Sequence, residues 1–187
     1  MTLSELPDGP PSLTATLDGV WRLLTMGRDD DGDRARFVAL STIGRKGPET
    51  RMVVLRKVNR AESRLTIFTE ARSAKVRELA SHPNASILAW DPDANLQARL
   101  RVRIAVRTGT EDEWSALSPR QQAAYGIDPP PGKVLDYPAQ VQSQSDPRAF
   151  SILDADILEI ETLRLGTPHQ RALFLKSDDF SGGWLAP

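Results

Sequence analysis

Between Gln97 and Arg107 the chain alternates strictly: Arg99, Arg101 and Arg103 are interleaved with Leu100, Val102 and Ile104. Side chains leave a β-strand on alternate faces with a period of two, so one face of this strand is core and the other carries guanidiniums. A strand patterned in this way belongs to a sheet with one buried and one polar face, which is the signature of antiparallel pairing. The cationic face has two readings. It is either a solvated exterior whose long side chains lie over apolar surface, or a subunit interface or wall of an anion pocket, because like charges at this spacing repel and need partners.

The remaining segments supply the other strands. Residues 1–12, rich in Pro, Gly and Ser, read as a loose arm ahead of one domain spanning 13–187. From Thr14 the pattern is helical, with Leu17, Val20, Trp21 and Leu24 on one stripe that should close against a sheet. Arg28–Arg34 is a charged loop whose acidic run lacks the ligand order of a calcium loop and reads as a solvated turn. Strands are expected at Arg36–Ile43, 51–58 and 65–69, the last two as a hairpin. A helix over 73–81 ends before Pro83, with His82 as a capping or solvated residue, and a strand at Asn84–Trp90 precedes the alternating one. Glu111–Tyr125 forms one helix or two broken near Ser118-Pro119, packing through Trp114, Leu117 and Tyr125. The stretch 126–148 is a long irregular connection of the kind that serves as a functional loop or wraps a neighbouring subunit. Apolar runs at Phe150–Asp154 and Asp156–Leu163, separated by acidic residues, and a last one at Arg171–Leu175 read as three more strands. The fold class is therefore mainly β with a few flanking helices. Six or seven antiparallel strands close wholly or partly into a barrel, which removes exposed edges.

Composition removes several functions. Lys and Arg number 24 against 25 Asp and Glu, so the formal net charge is −1 and nothing in the overall balance recruits nucleic acid or an anionic membrane. The chain has no cysteine, hence no disulfide framework, thiol nucleophile or thiolate metal site, and its two histidines are too few for an expected zinc centre. No apolar window of membrane-spanning length occurs, and the chain reads as cytoplasmic.

One stretch concentrates chemistry. Arg51-Met52-Val53-Val54-Leu55-Arg56 is an apolar strand bracketed by guanidiniums, and Phe68-Thr69 is followed by Arg72, Ser73 and Lys75 where the chain turns into a helix. Free N–H groups and the positive end of the helix dipole there would sit beside cations and hydroxyls, a setting for a dianionic phosphate. The plainer alternative is a solvated sheet edge.

These residues, in their order, resemble the pyridoxamine 5′-phosphate oxidase family of FMN-binding split barrels. The resemblance rests on the Arg51–Arg56 strand, on Phe68-Thr69, on Arg72, Ser73 and Lys75, on Gln97 after the loop 91–95, and on His169-Gln-Arg171 before the final strand. It implies a split β-barrel of six to seven strands and a homodimer with FMN at the subunit interface. Arg51, Arg72 and Lys75 would neutralise the phosphate, Thr69 and Ser73 would add hydroxyls, and the backbone of Met52–Val54 would lie along the ring. Gln97 would reach the ring's polar edge, Arg171 would set a permanent positive charge by the reduced flavin, and His169 would orient a small-molecule substrate or shuttle a proton. An oxidase of this type passes hydride from substrate to FMN and returns the electrons to dioxygen as hydrogen peroxide. Alternatives are a flavin- or deazaflavin-dependent reductase, a non-catalytic flavin- or heme-binding protein, and an interaction barrel. Thr167 stands where the true pyridoxal phosphate synthases carry a substrate-binding Arg. A flavin-contacting Trp of the family is replaced by residues around Glu161–Leu163, so the resemblance does not carry the substrate with it.

Overall fold

The computed structural model describes residues 12–25 and 36–187. All of the expected arm except Ser12, and the charged loop 28–34, lie outside the described residues. The helices are α1 (Leu13–Thr25), α2 (Ala74–Ser81), α3 (Glu111–Ser115) and α4 (Pro119–Gln122). The strands are β1 (Arg36–Gly44), β2 (Gly47–Asn59), β3 (Arg64–Glu70), β4 (Asn84–Asp91), β5 (Leu96–Thr108), β6 (Ile127–Asp128), β7 (Gln142–Ser143), β8 (Phe150–Arg164), β9 (Gln170–Leu175) and β10 (Gly183–Leu185).

Six strands close a barrel in the ring order β1–β2–β3–β8–β5–β4, because β8 pairs with both β3 and β5. The split arises within β8. Its first half, Phe150–Asp156, pairs with β3, whereas Glu159–Arg164 turns the same edge to β9, which in turn carries β10. Every pairing among these strands is antiparallel.

The strand expected in two pieces at 150–154 and 156–163 is one element of 15 residues. Its acidic residues do not break it, because Asp154 and Asp156 face away from the core. Asp154 accepts from Thr66 and Arg107, and Asp156 accepts from Arg64. A paired carboxylate on the outer face is compatible with a continuous ladder. The short β10 was not foreseen, since three residues are too few for periodicity to register. The helix between 111 and 125 is two helices, each opened by a capping box, at Thr110/Glu113 and Ser118/Gln121.

The alternation in β5 translates directly into burial: Ala98, Leu100, Val102 and Ile104 are inside, while Arg99, Arg101 and Arg103 are exposed. With Val38, Leu40, Leu55, Leu65, Ile67, Ile87, Ile160 and Phe174 they form one core, closed at one side by Val20, Trp21, Leu23 and Leu24 of α1. A second, aromatic cluster of Tyr125, Phe150, Phe68 and Trp114 lies under the α3–α4 segment. None of the helices among the described residues is long and apolar enough to cross a membrane.

Candidate functional site

Strand parity sorts the candidate residues. Arg51 shares the inward face of Val53 and Leu55, and its register partner Leu40 is fully buried. On β3 the inward positions are Leu65, Ile67 and Thr69. Arg51, Thr69 and the inward Thr42 of β1 thus converge at one end of the barrel, where α2 packs on β1 and β5.

There they form one polar cluster. The Lys75 ammonium donates to Thr69 Oγ1 at 3.0 Å, and the Ser73 hydroxyl lies 3.4 Å from the same oxygen. Arg51 donates to Thr42 Oγ1 and to Glu78 Oε2, the latter at 3.0 Å. Thr42, Thr69 and Ser73 are buried, and Arg51 retains only 23% of its side-chain exposure. Burial, and next the facing Arg51 guanidinium, push the Lys75 ammonium below its ordinary value, against the pull of Glu78 and Glu70. Among the described residues, two cations hydrogen-bond within the cluster against the one carboxylate of Glu78, which leaves it short of an anion. Ser73 occupies the N-cap of α2 without its side chain capping; the Val76 N–H turns back to the Ser73 carbonyl at 3.2 Å, and the N–H groups of Ala74 and Lys75 are left to an outside acceptor. The residues present therefore fit a phosphate.

Arg72 does not join the cluster. Its guanidinium donates to Glu70 Oε1 at 2.8 Å and to the Ile127 carbonyl at 2.7 Å, tying the barrel to the start of the 126–148 connection. Glu70 also accepts from the Gly126 N–H at 2.8 Å. Burial alone would raise the Glu70 carboxyl, but the donors from Arg72 and Gly126 outweigh it and hold it below the usual range.

The remaining candidates lie on the outer face. Met52 is exposed, Val54 is half-buried beside Phe37, and Arg56 stacks over Phe68 at 5.9 Å, in the aromatic cluster. Gln97 is paired across the sheet with Trp90 and Leu163, and Leu163 with Arg171. Arg171 donates to Glu161 Oε1 from Nε at 3.1 Å, and its Nη2 stands in ion-pair contact with the same oxygen at 3.0 Å. His169 is exposed in the turn between β8 and β9, its Nδ1 held by the backbone of Gly166.

In the six-membered ring, β2 and β5 stand opposite one another, three strands apart in either direction. The structure thus brings Arg51, Thr69, Ser73 and Lys75 together. It sets Gln97 and Arg171 on the outside of the far wall.

Sequence reasoning missed Thr42, Glu78 and Glu161. Thr42 was discernible as the one hydroxyl among the inward positions Val38, Leu40 and Thr42 of β1, and Glu78 as the residue one helical turn after Lys75. Glu161 had no local signal, because its partners Arg99 and Arg171 come from other strands.

Residues 21–108 match the family model described as pyridoxamine 5′-phosphate oxidase, FMN-binding domain. That span contains the whole Arg51–Lys75 cluster and Gln97, and stops short of His169 and Arg171. The chain is similar to the pyridoxine/pyridoxamine 5′-phosphate oxidase of Thermosynechococcus vestitus, 32% identical over 77 residues, which covers 41% of this chain and 36% of that protein. It is also similar to pyridoxine/pyridoxamine 5′-phosphate oxidase 2 of Arabidopsis thaliana, 30% identical over 107 residues, covering 55% and 54%. The chain thus spans about a third and about half of the length of these two curated relatives. A crystal structure of a pyridoxamine 5′-phosphate oxidase-related, FMN-binding protein from Nostoc punctiforme shares the fold over 100% of both chains, at 21% identity and a TM-score of 0.72.

Proposed function

We propose that this chain, whose residues 21–108 match the FMN-binding domain of the pyridoxamine 5′-phosphate oxidase family, is a cytoplasmic, homodimeric FMN-dependent oxidoreductase whose functional unit is residues 13–187. The observation that carries FMN binding is the cluster at the barrel mouth: Arg51 and Lys75 converge with the buried hydroxyls of Thr69 and Ser73 at an uncapped helix start. Arg51 and Lys75 hold the phosphate by charge-assisted hydrogen bonds, and Thr69 and Ser73 add neutral ones. Glu78 holds the Arg51 guanidinium by an ion pair at 3.0 Å.

The homodimer is supported by the opposition of β2 and β5. Gln97 and Arg171 stand on the outer face of the wall across from Arg51, so one ligand meets both sets only if the second set comes from another copy of the chain. Met52, Phe37, Leu88 and Trp90, all exposed on the outer faces of β1, β2 and β4, supply apolar surface for such a contact.

When bound, FMN supplies hydride acceptance from an amine or alcohol carbon, followed by reoxidation by dioxygen to hydrogen peroxide. The chain's own contribution is positional. Gln97 offers a donor and an acceptor to a polar ring edge, and Arg171 a permanent positive charge where reduction builds negative charge. His169, with Nδ1 engaged by Gly166, has Nε2 available for a proton or a substrate group. The absorbance spectrum of the purified protein, followed by release of its chromophore, tests this reading. FMN at about one per chain supports it, and a colourless protein that takes up no added FMN overturns it.

A further inference from the structure

We propose that Glu161 is a positioning residue for Arg171 and sets how readily the flavin site accepts electrons; this rests on the FMN reading above. Glu161 lies on β8 between Arg99 of β5, its direct register partner, and Arg171 of β9, which stands opposite Leu163. Its two oxygens are divided between them. Oε2 takes Arg99 Nη2 at 2.5 Å, and Oε1 accepts from Arg171 Nε at 3.1 Å, with Nη2 in ion-pair contact at 3.0 Å. The carboxylate is the most enclosed of the three groups, at 13% side-chain exposure against 49% for Arg99 and 35% for Arg171.

Two consequences follow from this arrangement. The contact to Arg171 is diagonal, so Glu161 draws the guanidinium two residues along the strand from its own row, where Gln97 and Leu163 lie, and holds it there by one charge-assisted hydrogen bond and the ion pair. The trio also carries one net positive charge instead of two. A reduced flavin is more negative than an oxidised one, so the carboxylate lowers the electron affinity that Arg171 and Arg99 would otherwise confer.

A neighbouring pair provides the control. Among the described residues Glu159, on the same outer face, pairs only with Arg101, at 3.2 Å, and Arg101 is 70% exposed. It is a surface ion pair to which no other described residue adds a second cation.

The test is the midpoint potential of the FMN-loaded protein, measured by dye-coupled reduction for the wild type and for Glu161→Gln, Arg99→Gln and Glu159→Gln. Glu161→Gln is expected to favour reduction by about tenfold in the equilibrium constant, about 30 mV upward for a two-electron couple. Arg99→Gln, which leaves Glu161 and Arg171 as a neutral pair, shifts the potential downward, and Glu159→Gln leaves it unchanged. A purely structural role for Glu161 would not produce opposite signs in Glu161→Gln and Arg99→Gln. An unchanged potential in Glu161→Gln, or an equal shift in Glu159→Gln, overturns the proposal while leaving FMN binding intact. A wild type that takes up no FMN overturns the site reading and this inference with it.

Discussion

The Lys75 ammonium lies 3.0 Å from the Oγ1 of Thr69, an oxygen that Ser73 also approaches at 3.4 Å. A cation donating to a buried neutral hydroxyl, with a second cation facing it, is an arrangement that an anion completes.

Removal of either cation should therefore weaken FMN binding. A charge-assisted hydrogen bond contributes about 1.5–3 kcal/mol, so Arg51→Ala and Lys75→Ala should each raise Kd by roughly ten- to a hundredfold in a flavin fluorescence titration. Unchanged affinity in both variants would remove the phosphate cradle.

The same ammonium predicts a pH dependence. Lys75 titrates lower in the folded chain than its ordinary value of 10.5. In the alkaline range the unfolded chain therefore holds the extra proton, and the contribution of this group to stability rises with pH. Phosphate binding requires the charged form, so the affinity for FMN should fall as pH rises through the folded pKa, at a pH below 10.5. Kd values measured from about pH 7 to 10 check this, and Lys75→Arg should remove the fall because a guanidinium stays protonated.

Mixed dimers test the shared site. Arg51→Ala and Gln97→Ala/Arg171→Ala chains, each defective alone, should regain intact sites when co-refolded, at about a quarter of all sites for random pairing in a two-fold dimer. No recovery of tight FMN binding in the mixture would assign all of these residues to one chain or exclude some of them from the site.

Acid stability should depend on Glu113. Its carboxylate receives both Nη groups of Arg107, at 2.7 and 2.8 Å. The Arg107 fork first, and then the Thr110 N–H, against the effect of burial, bring its pKa down from 4.5 to about 2. This stabilisation is present above pH 4.5 and is lost as pH falls toward 2. Arg107 is 41% exposed and the pair is screened by solvent on that side, so its contribution is about 1 kcal/mol or less. Glu113→Gln should lower stability by that amount at neutral pH and flatten the acid limb of a urea-midpoint profile.

Gly126→Ala should destabilise the protein by about 1–3 kcal/mol, read as a fall in Tm. The residue has φ +75°, and an added Cβ would stand 2.6 Å from the Asp146 Cβ and 2.7 Å from its backbone nitrogen. Backbone cannot move aside as a side-chain tip can, so the anchor of the 126–148 connection at Glu70 should loosen as well.

The barrel was legible because its evidence is local. Arg99, Arg101 and Arg103 against Leu100, Val102 and Ile104 declare a two-faced strand without reference to anything else in the chain, and the helix start at Ser73–Lys75 follows Thr69, near the end of β3, by only four residues. The grouping of Arg51 with Lys75 was within reach for the same reason, since the β2–β3 hairpin, the turn and the helix follow one another in the chain. Everything that depends on which strands become neighbours was not. Arg72, expected among the phosphate ligands by its position in sequence, turns to Glu70 and Ile127 because the connection 126–148 returns to that corner of the barrel. The opposition of β2 and β5, and the division of Glu161 between Arg99 and Arg171, follow from ring closure between strands far apart in the chain. Side-chain periodicity specifies which face of a strand is buried. Only long-range pairing and packing decide what that face, and its reverse, will meet.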